Sequence, residues 1–255
     1  MWSRVFAGRR APLTAWDLKT KYGKQSRVCY RKLALGIYGP ASPITVASWR
    51  TPCSRTPLVR AYSDYVVRGL GLEGRTHYAQ PSGPPRVVTI TYMARRASSQ
   101  WPERRFCDSK QSFFKCEDWM HLDKRSLGRM IRNDKQVVAA LKELETRRWT
   151  NGAQVTFRDV DFNLLSFEEQ IAVDITTDVM VGPHGAGLMH NIFMPDRGVL
   201  VELHIDNSGS NQHFHNLARW QGRKYLTQNM GNPINTNELK RLVASAVESI
   251  DINTY

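Results

Sequence analysis

Beyond residue 86 the apolar positions fall into two alternating rhythms. Residues 87–93 form an unbroken apolar and β-branched run, the pattern of a strand buried on both faces. In residues 133–148, Val137, Val138, Leu141 and Leu144 recur at three- and four-residue spacing, which predicts a helix. The same reading predicts strands at 154–157, 178–181, 199–204 and 224–227, and helices at 166–175, 187–193, 211–221 and 236–250. Ser166, with Glu169 three residues on, reads as a capping box that starts one of these helices. Strands alternating with helices at this spacing imply right-handed crossovers and an α/β fold, a doubly wound, Rossmann-like parallel sheet.

The rest of the chain is less regular. Residues 1–60 are rich in Pro and Gly, with one apolar run at 28–37 that could form a strand. A helix is predicted at 57–70 with Leu58, Tyr62, Tyr65, Val66 and Gly69 on its apolar face, and residues 71–85 read as a linker. Residues 97–125, with Trp101, Cys107, Cys116 and many charges, interrupt the first crossover and read as an inserted surface loop. The expected division is a basic N-terminal segment, 1–85, followed by a sheet-forming lobe, 86–255.

At 255 residues and 41% apolar the chain can bury a sizeable core, which argues against disorder and against a small disulfide scaffold. No stretch approaches the roughly 18 consecutive apolar residues of a membrane-spanning helix. The net charge is +13 and is unevenly placed. Residues 1–60 hold twelve Lys and Arg against one acid, Asp17; residues 61–135 hold fourteen against eight; residues 136–255 hold ten against fourteen. A basic half beside an acidic one points to an anionic partner without naming it. The first sixteen residues carry Arg4, Arg9 and Arg10 but no apolar core, so no secretion signal is read there; a mitochondrial presequence and an arbitrary start both fit that composition. Cys29, Cys53, Cys107 and Cys116 form no C-x-x-C pair, which disfavours a zinc ribbon or thioredoxin-like site and leaves two disulfides or four free thiols open.

Chemistry concentrates in residues 178–195, DVMVGPHGAGLMHNIFMP. An apolar strand ends at Val181, a glycine-rich turn follows, and a helix is expected from Gly187. In a parallel sheet such a turn lies at the carboxyl end of a strand, where ligands bind. Gly185 and Gly187 allow close backbone approach, and amides at a helix start favour an anion such as a diphosphate. His184 stands at the mouth of the turn, able to donate a hydrogen bond and carry charge. The plainer alternative is a tight structural turn with His184 satisfied by backbone. Classical dinucleotide binding is disfavoured because residues 92–96, YMARR, hold no glycine. Serine hydrolysis is disfavoured because no G-x-S-x-G elbow occurs. His184, His190, His204, His213 and His215 lie close in sequence, but their spacing fits no zinc motif. Asp159 and Asp161 form a D-x-D pair of the kind that holds a divalent cation in some transferases, though an acid pair in a surface loop is the commoner meaning.

With these residues on view, the chain resembles glycosyltransferase family 61. The resemblance rests on residues 181–188, VGPHGAGL, then 191–195, NIFMP, and 201–203, VEL; residues 86–90, 94–95, 129–133, 165–170 and 177–178 follow in the family's order. Residues 28–30, Gly36 and 58–64 are similar to the region before its catalytic part. The resemblance implies the nucleotide-sugar-binding C-terminal lobe of a two-lobed GT-B transferase, with the acceptor bound by an N-terminal lobe. Carried over by position, Arg95, Arg129 and Asn133 would face the diphosphate together with His184, Gly185, Ala186, Gly187 and Leu188, and Glu202 would reach the ribose hydroxyls. His184 is the candidate catalytic residue. The reaction implied is an inverting transfer of N-acetylglucosamine or a pentose from a UDP-sugar to a hydroxyl of a protein or glycan, with no required cofactor and no metal ligands, a divalent cation not being expected. The implied location is the lumen of the endoplasmic reticulum or Golgi.

Two departures from the family stand out. The 97–125 insertion separates arginines that are close in the family, leaving Arg95 and Arg96 as rivals. The 60 to 85 residues ahead of the sheet are too few for a second Rossmann-like lobe, which takes upwards of ~100, so an incomplete N-terminal part is expected. Readings from other classes are a basic nucleic-acid-binding module on residues 1–60, against which stands the lack of a recognisable binding motif, and an inactive relative that binds donor without transferring it.

Overall fold

Three strands are buried on both faces, and these build the centre of a five-stranded, all-parallel sheet. In the computed structural model, residues 56–73, 87–96, 130–205 and 212–252 are described, together with Thr20. The strands are β1 (Val87–Met93), β2 (Gln154–Val160), β3 (Val179–Pro183), β4 (Val199–His204) and β5 (Lys224–Asn229), in the order β2-β1-β3-β4-β5. β3 and β4 are buried at every residue and β1 at all but Val87, whereas β2 and β5 carry exposed positions, as sheet edges do. The register aligns Ile90 with Val179 and Val179 with Val199, and so stacks the carboxyl ends of β1, β3 and β4 along one rim.

The period of two along each strand divides the core. Val88, Ile90, Tyr92, Val179, Val181, Val199 and Val201 face one side, where they meet α2 (Asp134–Lys142) and α5 (Thr236–Glu248) through Val137, Leu141, Leu239, Val243 and Val247. Met180 and Leu200 face the other, packing on Leu188 and on Phe214, Leu217 and Ala218 of α4 (His213–Trp220). α3 (Phe167–Asp174) joins this second side, and its start is the predicted capping box: Ser166 accepts from Glu169 N–H while Glu169 accepts from Ser166 N–H. The expected doubly wound sheet is therefore present, with most boundaries displaced by a few residues. β3 runs on to Pro183, which puts His184 directly at the rim.

Two elements differ from the sequence reading. α1 (Pro57–Gly69) forms where expected and buries Val66 as expected, but Leu58, Tyr62 and Tyr65 are exposed, and Ser63 and Val67 are buried in their place. Val66 and Val67, with Leu70 and Leu72 beyond the helix, pack on Ile171, Ile175 and Phe193. α1 thus shares a core with the lobe on the far side of the division drawn at residue 85. Second, residues 186–193 form a 3-10 segment, Ala186–Phe193, rather than an α-helix. Buried side chains take its carbonyls: Asn191 Nδ2 donates to Leu188 O at 2.6 Å, and Arg223 donates to Asn191 O and Met194 O, each at 2.7 Å. The apolar run at 28–37, the four cysteines and the 97–125 insertion lie outside the described residues.

Candidate functional site

His184 follows β3 at the carboxyl rim of the sheet, with its backbone N–H bonded to Leu203 O at 3.0 Å. Gly185 comes next. A Cβ there would stand 2.7 Å from Arg95 Nη1, so the missing side chain is what admits the guanidinium to the turn. Ala186 and Gly187 are exposed. Their amides precede the first internal hydrogen bond of the 3-10 segment, from Leu188 N–H to Gly185 O at 2.9 Å. Leu188 is buried and serves the core beside Met93 and Met180. A guanidinium, an imidazole and the exposed start of a helical segment converge here, an arrangement that suits an anion.

The neighbouring arginines have separate tasks. Arg96 bonds Asp134 Oδ2 at 2.7 Å and both oxygens of Asp159 at 2.9 Å, while Tyr92 donates to the other oxygen of Asp134 at 2.8 Å. Hydrogen bonds and charge from Asp134 and Asp159 outweigh partial burial and raise the Arg96 pKa; burial and Asp134 raise that of Tyr92. Arg95 is the one at the glycine turn. The same network accounts for the D-x-D pair: Asp159 is ion-paired, and Asp161 accepts from Asn163 N–H at 3.0 Å to cap a short turn.

The other expected site residues make the following contacts within the protein. Asn133 donates to Ile234 O and accepts from Ile234 N–H, both at 2.9 Å, which fastens the start of α2 to the loop before α5. Glu202, fully buried on β4, receives the Tyr225 hydroxyl at 2.6 Å on Oε2 and meets His184 Nδ1 with Oε1. Each oxygen thus has one partner within the protein. Arg129 lies outside the described residues.

Around His184 the fold gathers groups that the sequence reading did not assign. The His204 ring stacks on His184 at 5.7 Å between centroids and an interplanar angle of 26°, and Phe214 lies 5.1 Å from it. His213, at the start of α4, has its pKa lowered by burial and then by charge on His184; His215 has its pKa lowered by burial and then by Arg219. The Tyr225 pKa is raised by burial and then by Glu202, which keeps the phenol protonated. His184, Glu202 and His204 bring ligand atoms within 4.8 Å of one another. Two imidazoles and a carboxylate suit a zinc-like ion, but such an ion would have to displace the hydrogen bonds that Glu202 already makes. The clustering of histidines in sequence was a real signal; its source is three neighbouring rim positions, the ends of β3 and β4 and the start of α4.

His190 takes no part in this cluster. Its Nδ1 meets Asp174 Oδ2 at 2.5 Å among Phe162, Phe167 and Phe193, and ties the 3-10 segment to α3.

Comparison with known proteins bears on these residues directly. The family model Glycosyltransferase 61 matches residues 72–201, which include Arg95 and the whole glycine turn. The chain is 34% identical over 226 residues to the EGF domain-specific O-linked N-acetylglucosamine transferase of Bos taurus, covering 85% of this chain and 33% of the relative. It is 26% identical over 219 residues to the protein of that name from Drosophila melanogaster, covering 83% and 32%. The match to the Gallus gallus protein is shorter, 34% over 106 residues. The chain spans about a third of the length of the curated relatives that it matches over most of its own length.

Proposed function

This chain belongs to glycosyltransferase family 61, and from that membership we propose that its sheet is the nucleotide-sugar-binding lobe of an inverting GT-B glycosyltransferase. The observation that carries the reading is Arg95 Nη1 held against Gly185 at the carboxyl rim, beside His184 and the exposed residues Ala186 and Gly187. Transfer from a UDP-sugar breaks the bond between the anomeric carbon and the diphosphate as an acceptor hydroxyl attacks and loses its proton. The departing diphosphate gains negative charge, which preorganised donors can stabilise. Arg95, the turn amides and His184 supply those donors from this lobe, and Arg129 is proposed as a further one.

The relatives' names support N-acetylglucosamine as the donor sugar and an EGF domain as the acceptor, with a pentose and a glycan hydroxyl as the family's other options. Residues 1–85 are proposed to contribute what this chain holds of an acceptor-binding part. The compartment proposed is the lumen of the endoplasmic reticulum or Golgi. Among the described residues no helix is long and apolar enough to cross a membrane.

Titration calorimetry with UDP tests the reading. Saturable binding is expected, and Arg95→Ala should weaken it about tenfold or more, the loss of a charged hydrogen bond. Wild-type protein that takes up no UDP at millimolar concentration would remove the proposal.

A further inference from the structure

We propose that Arg96 is a positioning residue that acts through Arg95: its ion pairs clasp the chain on one side of the end of β1, so that the preceding guanidinium is held against the glycine turn. This rests on the reading of that turn as the diphosphate site. Side chains alternate in facing along β1 and keep alternating past its end. Tyr92 and Ala94 join the core on the α2 side, whereas Met93 packs with Met180 and Leu188 on the other. The arginines keep this parity. Arg96 reaches Asp134 at the start of α2, and Arg95 goes the way of Met93, to the turn. A Cβ on Gly182 would stand 2.9 Å from Met93 Cβ, one on Gly187 3.4 Å from Met93 Cε, and one on Gly185 2.7 Å from Arg95 Nη1. Successive side chains on that face thus meet successive glycines.

What keeps the parity beyond the strand is the Arg96 clasp. Ala94 N–H still donates to Val160 O at 2.8 Å, but residues 95 and 96 belong to no strand. There the guanidinium takes over. Its Nε donates to Asp134 Oδ2 at 2.7 Å and its Nη2 to both oxygens of Asp159 at 2.9 Å, while the Tyr92 hydroxyl donates to Asp134 Oδ1 at 2.8 Å. One side chain therefore joins the end of β1 to both α2 and β2, with charge-assisted bonds to each. The Arg96–Asp134 pair also spans 38 positions of sequence, across residues 97–129. It closes the neck of that stretch. The returning end is fastened separately, by Arg132 N–H on Asn232 Oδ1 and by Asn232 Nδ2 on Met130 O, both at 2.8 Å. Arg95 lies on the lobe side of the clasp. A long cationic side chain loses rotational freedom when an anion binds; one whose direction is already set in the folded protein loses less, and so binds more tightly.

A double-mutant cycle read by UDP titration separates this role from general support of the fold. Asp159→Asn keeps the volume but removes one charge from the clasp, and Arg96→Met keeps the stem but removes the guanidinium. In otherwise wild-type protein, D159N should weaken UDP binding about threefold and R96M about fivefold or more. In an Arg95→Ala background, titrated with UDP into the millimolar range, each should change affinity by less than about twofold, because the group they position is gone. Melting temperatures, by contrast, should fall by the same amount in both backgrounds, since the clasp's share in stability does not pass through Arg95. Should R96M fail to fold, D159N alone completes the cycle. Equal losses of UDP affinity with and without Arg95, or single variants within about twofold of wild type, would overturn the inference while leaving the diphosphate reading intact. Failure of wild-type protein to bind UDP would remove both.

Discussion

His184 shows how much a single residue's surroundings decide. Its place after an apolar strand and before Gly-Ala-Gly made it legible as a candidate, because that order alone puts it at a strand's carboxyl end. The partners of Glu202 were not legible, since those of a buried carboxylate on β4 come from the end of β3 and from β5, remote in sequence. The same limit applies to Asp174, whose side chain is fully buried and whose Oδ1 has no hydrogen-bond partner among the described residues. Burial pushes its pKa from 3.8 up to about 6, against the opposing pull of His190. A raised carboxyl pKa favours the protonated form in the folded state. Its stabilising contribution is thus complete below about 3.8 and is lost as pH rises through about 6. Thermal melts between pH 4 and 7 should show wild-type protein losing ground to Asp174→Asn as pH rises, by up to about 3 kcal/mol across the window. A parallel pair of melting curves would contradict this.

Among the elements, those with strong local signals were the most readable. The strand runs and the Ser166 and Glu169 box needed nothing beyond their own sequence. Residues 186–193 were less readable because a remote side chain, Arg223, decides their geometry. It is buried, and its guanidinium donates to Asn191 O, Met194 O and, at 2.9 Å, Pro195 O. Arg223→Ala removes three charge-assisted hydrogen bonds at once, each worth about 1.5–3 kcal/mol, although Asn191 O and Pro195 O keep backbone donors in Met194 N–H and Gly198 N–H. A loss of about 3 kcal/mol or more in urea unfolding is expected, accompanied by weaker UDP binding because the glycine turn shares the segment. Unchanged stability would mean that the segment holds itself. On α1 the apolar stripe was right at Val66 but otherwise misjudged by about one position: aromatic size drew the prediction to Tyr62 and Tyr65, whereas the smaller Ser63 and Val67 are the buried ones.

At the scale of the whole molecule, the five-stranded sheet was legible and the extent of its lobe was not. α1 precedes the sheet by a long stretch of sequence yet supplies Val66 and Val67 to a core shared with Ile171, Ile175 and Phe193, with Leu70 and Leu72 just after it. Two further ties hold it: Thr56 N–H donates to Trp220 O at 2.7 Å, and Arg60 meets Asp196 at 2.7 Å. A protein beginning at residue 87 would forfeit four buried apolar side chains, on the order of 5 kcal/mol or more at ~1.5–3 kcal/mol each. It should melt well below one beginning at residue 56, and equal melting temperatures would show that α1 is dispensable. The charge also looks different on the fold. Arg96 is ion-paired with Asp134 and Asp159, so the proposed anion site would draw on Arg95 rather than on the general basic excess.

The seating of α1 has a kinetic consequence. Because Thr56 is pinned to α4's end and α1 lies against the 3-10 segment, the polypeptide ahead of residue 56 departs from a fixed point on the lobe that would hold the donor. Under the proposed function, an acceptor held by residues ahead of 56 would be joined covalently to that point, and its encounter with a sugar at the rim would be governed by effective concentration rather than by bulk diffusion.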